Sequence, residues 1–453
     1  NPALSGSSVE LFGGLLRQSY GMFAERLPST AFLRVFFLVA AFFVVWLGAG
    51  FLRRRNLPVT EFLHIALVVT AAMLLLVQSN HFVLLFVALE TITVGFYVLV
   101  GYNRTSSASL EAGVKYLVMG GLSSALLLFG IVLLYGAAGN PVLNGGAVGD
   151  AMNFAFLQAV IEANLTNPLI LAGISLVIGG VAFKIGMFPF QIWVPDVYQG
   201  APTPTTAFLA VASKAAGMFT LLILLAGPFA AAVGSGAVPG PLYWLLSVMT
   251  GATLLFSNLT ALGQTNVKRL MGLSGISHAG FLLLGVLAAL TGEPLAASAI
   301  VIYLAAYLVG GFATFGVMAA MAGEDDSAQS TEDYQLLLRR NPFLAGVLGC
   351  GVGSLAGIPP SLGFVAKFLI IYAALQAGLW CLATIALLCV GAGVYYYFGW
   401  LREAFLRTEV SEEKAQELAR PIAVPFFSKL ILSVLAAILV LGGIWQSFLI
   451  VFL

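Results

Sequence analysis

The chain has 453 residues, of which 60% are hydrophobic and only 9% are charged, and its mean hydropathy is +1.02. A soluble globular domain is about 45–50% apolar and about 25% charged, so this composition excludes a soluble domain and a disordered chain. The 20 basic and 19 acidic side chains give a net charge of +1, which excludes a nucleic-acid binder with a basic face. The chain is therefore predicted to be an integral membrane protein.

The apolar residues form twelve segments that can each cross a bilayer as a helix of about 20 residues. They lie at about 31–52, 58–78, 80–101, 110–136, 166–187, 203–226, 241–262, 269–291, 295–321, 343–376, 378–401 and 427–453. Their length and continuity exclude the strands of a barrel. Residues 1–30 carry apolar side chains at roughly helical spacing, which predicts an amphipathic segment on the membrane surface. These side chains are Phe12, Leu15, Leu16, Phe23 and Leu27.

Basic residues are confined to every second loop between the predicted spans. The odd-numbered loops hold Arg53, Arg54, Arg55, Arg104, Lys268, Arg269, Arg339, Arg340, Arg402, Arg407, Lys414 and Arg420. The even-numbered loops hold no lysine or arginine, only Asp150, Glu162 and Glu293. Because basic loops stay on the cytoplasmic side, the odd loops are predicted to be cytoplasmic and both ends of this chain to lie outside, in a cell inner (plasma) membrane.

Proline and glycine interrupt two of the predicted spans. The first interruption is in AFKIGMFPFQIWVPDVYQGAPTPTTAF, and the second is in GCGVGSLAGIPPSLGFVAKF. Proline removes a backbone donor and clashes with the preceding turn, so continuous helices are not expected there. Spans 2–6 and 7–11 are five helices each and carry the break at corresponding positions. Because five is an odd number, the second set is inverted relative to the first, as in inverted-repeat transporters.

The predicted fold class is an all-α polytopic membrane protein of about 12 transmembrane helices, with two inverted five-helix repeats that each contain a broken helix. Residues 1–57 are the N-terminal amphipathic segment and the first span, and 58–226 are the first repeat. Residues 241–402 are the second repeat, and 403–453 are a cytoplasmic connector and the last span.

A few ionisable residues lie inside the predicted spans, where a charge costs about 2.5–3.5 kcal/mol on insertion scales. They are Glu90, Lys115, Lys184, Lys214, His278 and Lys367. Such residues commonly face a hydrated interior and mark a proton or ion path. A buried lysine changes its charge state readily, and a nearby glutamate favours its charged form. The set is therefore a candidate proton relay, and the first repeat, 58–226, is predicted to be the proton-path half.

Each of these residues also has a structural interpretation. A pair between Glu90 and a lysine then only locks helices together, His278 is a hydrogen-bonded core histidine, and Lys115 extends to the cytoplasmic face. Asp196, in the first break, is interpreted as a turn or cap residue. The stretch GEDDSAQSTEDYQLLLRR is interpreted as a solvated loop.

The sequence carries no motif of another chemistry. It contains no P-loop, no GxGxxG after a strand, no HExxH and no paired histidines for haem. Cys350, Cys381 and Cys389 form no CxxC, so an iron–sulfur cluster, a zinc site or a disulfide framework is not expected. The chain is predicted to hold no cofactor and no metal. The stretch LREAFLRTEVSEEKAQELAR is interpreted as an exposed helical connector.

Residues from about 60 to 405 resemble the antiporter-like membrane subunits of respiratory complex I, the proton-pumping NADH:quinone oxidoreductase. The resemblance lies in VALETITVGFYVLVGYNRTSSASLEAGVKYLVMGGLSSALLLFGIVLLYG, FKIGMFPFQIWVPDVYQGAPTPTTAFLAVASKAAG, QTNVKRLMGLSGISHAGFLLLG and SLAGIPPSLGFVAKF. It implies an intramembrane glutamate at Glu90, the pumping lysine at Lys184 and the relay lysine at Lys214. It also implies a connecting group at His278 and a terminal lysine toward the outer side at Lys367.

Among the three paralogous subunits of that family, the chain is most similar to subunit N. Subunit M typically has a glutamate where Lys367 stands, and subunit L has a long lateral helix beyond its last spans. Bacterial subunit N usually has fourteen helices, and the motifs place the two that are absent from the count at the beginning. The resemblance implies a translocase subunit without a redox centre that moves protons from the cytoplasm to the outer side.

The resemblance also implies that partner subunits supply the redox chemistry, and that subunit M and small membrane subunits are neighbours of this chain. Two alternatives within transport stay open, namely a subunit of a multi-subunit Na⁺/H⁺ antiporter and a subunit of a membrane-bound hydrogenase. A structural membrane scaffold that keeps charged pairs for assembly is the alternative outside transport.

Overall fold

The computed structural model describes residues 30–235, 238–323, 325–406 and 422–445, together with four short strands that precede them. The strands form two antiparallel hairpins: β1 (Ser8–Leu11) with β2 (Leu16–Ser19), and β3 (Phe23–Ala24) with β4 (Leu27–Pro28). The helical spacing predicted for this segment is therefore wrong where the structure describes it, and Phe12 and Leu15 lie outside the described residues. Glycines interrupt the segment and lower its helix propensity, so apolar spacing was an insufficient signal.

The first half of the described chain contains six segments that correspond to the first six predicted spans. Its helices are α1 (Thr30–Arg53), α2 (Val59–Leu76), α3 (Phe82–Val100), α4 (Ser107–Ala138), α5 (Phe154–Ala163), α6 (Pro168–Ile185), α7 (Trp193–Gly200), α8 (Thr203–Phe208), α9 (Lys214–Ala226) and α10 (Ala230–Val233). A π-helical turn, Leu209–Ser213, joins α8 to α9 in one span.

The second half begins after a short hairpin of β5 (Gly234–Ser235) and β6 (Val238–Pro239). Its helices are α11 (Pro241–Ala261), α12 (Val267–Leu290), α13 (Pro294–Met321), α14 (Leu337–Arg340), α15 (Pro342–Ala356), α16 (Leu362–Gln376), α17 (Trp380–Phe405) and α18 (Phe426–Ile444), with a 3₁₀ turn at Thr331–Tyr334. Among the described residues, 11 segments are long and apolar enough to cross a membrane, and α15 with α16 accounts for the remaining predicted span. The all-α polytopic fold is confirmed.

Short polar side chains set where several helices begin. Each accepts a hydrogen bond from a backbone N–H of the first turn, which would otherwise lack a partner. These residues are Ser106, Asn153, Asn167, Asn266, Asn341 and Ser361. The apolar segments therefore start as helices close to the boundaries that hydropathy predicts.

The two breaks have the same local geometry. α6 and α15 both end at a left-handed glycine, Gly186 with φ +78° and Gly357 with φ +83°. In each case the amides of the glycine and of the next residue donate to one carbonyl, that of Ala182 in the first break and that of Gly353 in the second. This is a common helix ending that needs a residue tolerant of positive φ. The match supports two related halves, while the repeat boundaries and their inversion stay predictions.

Small residues allow close packing between helices. Gly130 of α4 lies against the Gly173 carbonyl and the Val177 amide of α6, where a Cβ would overlap the backbone. Such close approach is typical of helix contacts within membranes, where van der Waals packing drives association. α12 and α13 are buried almost throughout their length, so they form the centre of the bundle.

Candidate functional site

The intramembrane glutamate and the predicted pumping lysine are in contact. Glu90 lies in the middle of α3 and Lys184 in the last turn of α6, and Lys184 Nζ is 3.6 Å from Glu90 Oε1. Lys184 Nζ donates a hydrogen bond to Thr93 Oγ1 at 2.6 Å, and Ser124 Oγ donates to Glu90 Oε1 at 2.6 Å. The two side chains therefore form an ion pair, whereas their part in proton transfer stays a prediction.

The end of α6 explains the position of Lys184. The helix stops one residue later at Ile185, and residues 186–192 form turns rather than a continuous helix. An ammonium near the C-terminal end of a helix is stabilised by the partial negative charge of the unpaired carbonyl groups. The predicted interruption of the helix in the first break is therefore confirmed, and the helix end beside Lys184 favours a cation at this position.

Lys214 is the first residue of α9 and directly follows the π-helical turn. Its side chain is buried, and its Nζ has no hydrogen-bond partner among the described residues. The Nζ lies 5.4 Å from the centroid of the Tyr198 ring and faces Gly275 of α12, where a Cβ would overlap it. A π turn inside an α-helix is frequently found at functional sites. A buried ammonium without a protein partner is costly, so this position suits an amine that exchanges its proton.

Tyr307 of α13 links Lys214 to the second half of the chain. Its hydroxyl lies beside the same face of Gly275 that Lys214 Nζ approaches, and its ring centroid is 4.7 Å from that of His278. His278 Nδ1 is hydrogen-bonded to the Tyr303 hydroxyl at 2.7 Å. Lys214, Tyr307 and His278 therefore adjoin one another in the buried centre of the bundle.

Lys367 lies directly after the second break. Its Nζ donates to the carbonyl of Ala356, the last residue of α15, at 3.0 Å. Lys367 and His278 line a common cavity of about 10 Å³, together with Tyr303 and Ser354. This volume is about the minimum that holds one water molecule. The predicted interruption in the second break is confirmed, because α15 and α16 do not form one continuous helix.

Lys115 lies apart from the other five predicted relay residues, which we call the buried row. The buried row consists of Glu90, Lys184, Lys214, His278 and Lys367. Its side chain is 45% exposed and pairs with Glu111 at 2.7 Å and with Asp196 at 3.0 Å. Asp196, in the first turn of α7, also accepts from Arg269 Nη1 at 2.6 Å. The geometry agrees with the interpretation of Lys115 as a lysine that extends to the protein surface. Asp196 is an ion-pair partner that joins α4, α7 and α12.

Residues 79–392 match the family described as NADH:quinone oxidoreductase/Mrp antiporter, TM. The match spans all members of the buried row. The chain belongs to this family. Its sequence is 52% identical over 444 residues to NADH-quinone oxidoreductase subunit N 1 of Opitutus terrae, which covers 97% of this chain and 84% of that protein. It is 39% identical over 367 residues to subunit N of Methylococcus capsulatus, which covers 81% and 71%.

Solved structures agree with the placement of this antiporter-like subunit. A chain of respiratory complex I from Thermus thermophilus is 28% identical with a TM-score of 0.71, and the match covers 93% of this chain and 85% of that one. A chain of the Mrp complex from Dietzia sp. DQ12-45-1b shares the fold with a TM-score of 0.78 at 19% identity, over 99% and 86%. The predicted resemblance to the antiporter-like complex I subunits, with subunit N as the most similar type, is confirmed.

The sequence does not predict one buried ion pair of this antiporter-like subunit. Lys268, expected in a loop, is the second residue of α12 and is buried, with its Nζ 2.5 Å from Asp326 Oδ2. The solvated-loop interpretation of GEDDSAQSTEDYQLLLRR is therefore wrong for Asp326, and also for Tyr334, which is fully buried. Hydropathy contains no signal for this pair, because its partners are 58 positions apart and each looks solvent-exposed in its own sequence context.

The end of α17 also differs from expectation. α17 continues to Phe405 and buries Glu403, which accepts a hydrogen bond from Gln335 Nε2 at 2.9 Å. Exposure is therefore the wrong prediction for this residue of the connector, and residues 407–421 lie outside the described part of the chain. The buried hydroxyls of Tyr303 and Tyr307 were not among the predicted site residues either, because an aromatic side chain within an apolar helix usually indicates packing alone.

Proposed function

We propose that this chain is the N-type subunit of a proton-pumping NADH:quinone oxidoreductase, and that Glu90, Lys184, Lys214, His278 and Lys367 carry protons through it. The observation that carries the proposal is the Glu90–Lys184 ion pair, whose atoms are 3.6 Å apart within the membrane-spanning helices. Ionisable side chains at this depth are costly and commonly belong to a transport path. The 52% identity to a subunit N supports the assignment.

The ion pair acts as an electrostatic switch. While the ion pair is closed, the Glu90 carboxylate stabilises the Lys184 ammonium, and the Thr93 hydroxyl oxygen accepts a hydrogen bond from that ammonium. When the two side chains move apart, the ammonium loses its counter-charge and gives up its proton, because an unpaired charge in a buried site is unfavourable. Ser124 holds the Glu90 carboxylate in place through its hydroxyl, so the same pair can form again.

The other members continue the path from Lys214, in the first repeat, across the second repeat. Lys214, Tyr307 and His278 adjoin one another, and His278 shares a cavity with Lys367. The Ala356 carbonyl at the end of α15 holds the Lys367 ammonium. Lys367 is the last member before the outer side, and protons leave the relay from it.

The basic loops lie on the cytoplasmic side in this proposal. Arg55 donates to the Gly323 carbonyl, and Lys268 pairs with Asp326, so the loops after α1 and α13 and the start of α12 adjoin on one face. The positive-inside tendency keeps such loops in the cytoplasm. The relay therefore takes up protons at the cytoplasmic face and releases them outside.

The proposal assigns no redox cofactor to this chain. Electron transfer takes place in other subunits, and subunit M and small membrane subunits pass the driving force to the buried row. Exposed apolar side chains such as Val114, Val118 and Leu122 on α4 provide a surface that lipid or these subunits cover.

The experiment is purification of the native complex through an affinity tag on this chain. The proposal expects NADH-oxidising and iron–sulfur subunits to co-purify, and sealed vesicles to show a pH change when NADH reduces quinone. A complex that does not oxidise NADH but exchanges Na⁺ for H⁺ after a sodium pulse would contradict the proposal and favour the antiporter alternative.

A further inference from the structure

A cavity of about 590 Å³ opens on the face that the basic loops form. Its walls come from the start of α4, the end of α7 and the loop after α13, and they are mostly polar. The lining includes Asn103, Ser106, Gln199, Asn266, Asp326 and Asp333. One water molecule occupies about 30 Å³ of liquid, so a polar cavity of this size holds many. We call this cavity the vestibule.

A buried ion pair lies at the floor of the vestibule. Lys268 Nζ is 2.5 Å from Asp326 Oδ2 and also donates to the Ala201 carbonyl at 2.9 Å. The Asp326 carboxylate accepts from the amide of Thr203 at 3.2 Å and from its hydroxyl at 2.8 Å. Asp326 has φ +61°, a conformation that non-glycine residues rarely adopt and that the surrounding contacts must hold. The pair therefore joins the start of α8, the start of α12 and the loop after α13.

One face of α12 leads from this pair to Lys214. Lys268, Gly272 and Gly275 stand at positions i, i+4 and i+7, so they share a face and rise by about 10 Å along the helix axis. Gly272 packs against the Tyr198 ring, and a Cβ at this position would lie 3.4 Å from the ring atoms. Gly275 faces Lys214 Nζ. The order from the vestibule inward is therefore Lys268, Tyr198 and Lys214.

Two polar atoms on this line have no hydrogen-bond partner within the described part of the chain. They are the Tyr198 hydroxyl and Lys214 Nζ, and both side chains are buried. Buried polar groups almost always bond to protein or to water. Two such atoms in sequence, between the polar cavity and the centre of the bundle, indicate a line along which water can bond, with the ion pair at its outer end.

We propose that the Lys268–Asp326 ion pair is a gate that admits protons from the vestibule to Lys214, and that Asp326 is the group that receives each proton first. This inference rests on the proposed function of Lys214 as a proton carrier. A proton from vestibule water bonds to the Asp326 carboxylate, and the neutral acid no longer holds the Lys268 ammonium. The proton then passes through water beside Tyr198 to the neutral Lys214 amine, and Asp326 returns to the carboxylate that pairs with Lys268.

The charges around Asp326 suit this exchange. Lys268 pairs with Asp326 directly, and Arg55 lies close enough to interact with it. Among the other described residues nearby, Asp325, Asp333 and Tyr334 are acidic, and Arg54 and Arg340 are basic. Protonation of Asp326 therefore removes the direct counter-charge of Lys268 from a cluster that contains both signs.

The test compares Asp326→Asn with the wild-type complex in inverted membrane vesicles, where the vestibule faces the medium. The NADH oxidation rate is followed across a range of medium pH, in light and heavy water, and with added formate as a diffusible weak acid. We expect the NADH oxidation rate of Asp326→Asn to be at least about tenfold lower than that of the wild type, because a positioned proton acceptor commonly contributes at least that much. We also expect a larger solvent isotope effect and recovery of the rate by formate. The control is Glu61→Gln, an exposed carboxylate at the start of α2, which should match the wild type.

A second variant, Lys214→Met, distinguishes a failure of the gate from a failure of the proposed function on which it rests. If Lys214→Met pumps like the wild type, the proposed function fails. If Lys214→Met loses pumping while Asp326→Asn keeps the wild-type rate, pH profile and isotope effect, the gate alone fails. A low rate in Asp326→Asn that formate does not raise also overturns the gate. Should Asp326→Asn not assemble, Asp326→Glu keeps the acid on a longer side chain, and an unchanged pH profile in that variant overturns the gate.

Discussion

Replacing Lys184 with alanine removes one partner of the intramembrane ion pair. At the observed separation of 3.6 Å and an effective dielectric constant of about 20, the attraction between the two charges is about 5 kcal/mol. Removal of one partner from a buried pair typically costs about 3–5 kcal/mol, because the other charge is left unpaired. If only about 1.4 kcal/mol of this appears in the barrier of the driven step, turnover falls about tenfold.

The assay is NADH oxidation by the mutant complex in sealed vesicles, with a pH-sensitive dye to follow pumping. We expect Lys184→Ala to assemble, to lose most of its pumping and to oxidise NADH more slowly, because the two processes are coupled. Lys184→Met, which fills the space better, should show the same loss and so exclude a cavity as the cause. Lys184→Arg should not restore pumping fully, because arginine keeps its proton. Lys429→Ala, an exposed lysine on α18, is the control.

Unchanged pumping and unchanged turnover in Lys184→Ala would refute the reasoning. The Glu90–Lys184 pair would then only hold α3 and α6 together, as a structural scaffold requires. A double variant, Glu90→Gln with Lys184→Met, adds a second check. If the pair is the functional unit, the two substitutions together should cost little more than either one alone.

Two further predictions concern a glycine in the bundle and a loop outside it. Gly275→Ala should displace the Lys214 amine, since the new Cβ would overlap it, and should slow pumping in an assembled complex. Gly391→Ala is the control, because Gly391 has open space around it, and it should not slow pumping. Equal pumping by the two variants would contradict this prediction. Hydrogen bonds from the Met152 N–H and from His81 lower the pKa of the Asp150 carboxyl group. The stabilisation that the carboxylate gives its loop is therefore complete above the ordinary aspartate pKa, and it is lost as pH falls through the lowered pKa. Asp150→Asn should therefore speed backbone hydrogen exchange in residues 140–153 at neutral pH, and an unchanged exchange rate there would show the contact to be incidental.

Much of the architecture follows from local features of the chain. The twelve apolar segments were recognisable because each must satisfy its backbone within one helix and bury about 20 residues in lipid. The two breaks were recognisable because proline and glycine prevent a continuous helix at Pro189 and at Pro359–Pro360. The ionisable residues Glu90, Lys184 and Lys367 stood out for a similar reason, since a charge within an apolar span is costly wherever its partner lies.

Which of these residues meet depends on contacts between distant segments, and periodicity contains no information about them. Lys184 and Lys115 both looked like relay lysines, yet Lys184 meets Glu90 inside the bundle and Lys115 meets carboxylates at the surface. Lys268 and Asp326 looked like solvated loop residues, yet they pair beneath the vestibule. Partners on separate helices are brought within 4 Å by the packing angles and depths of those helices, and a pattern along one segment cannot specify either quantity.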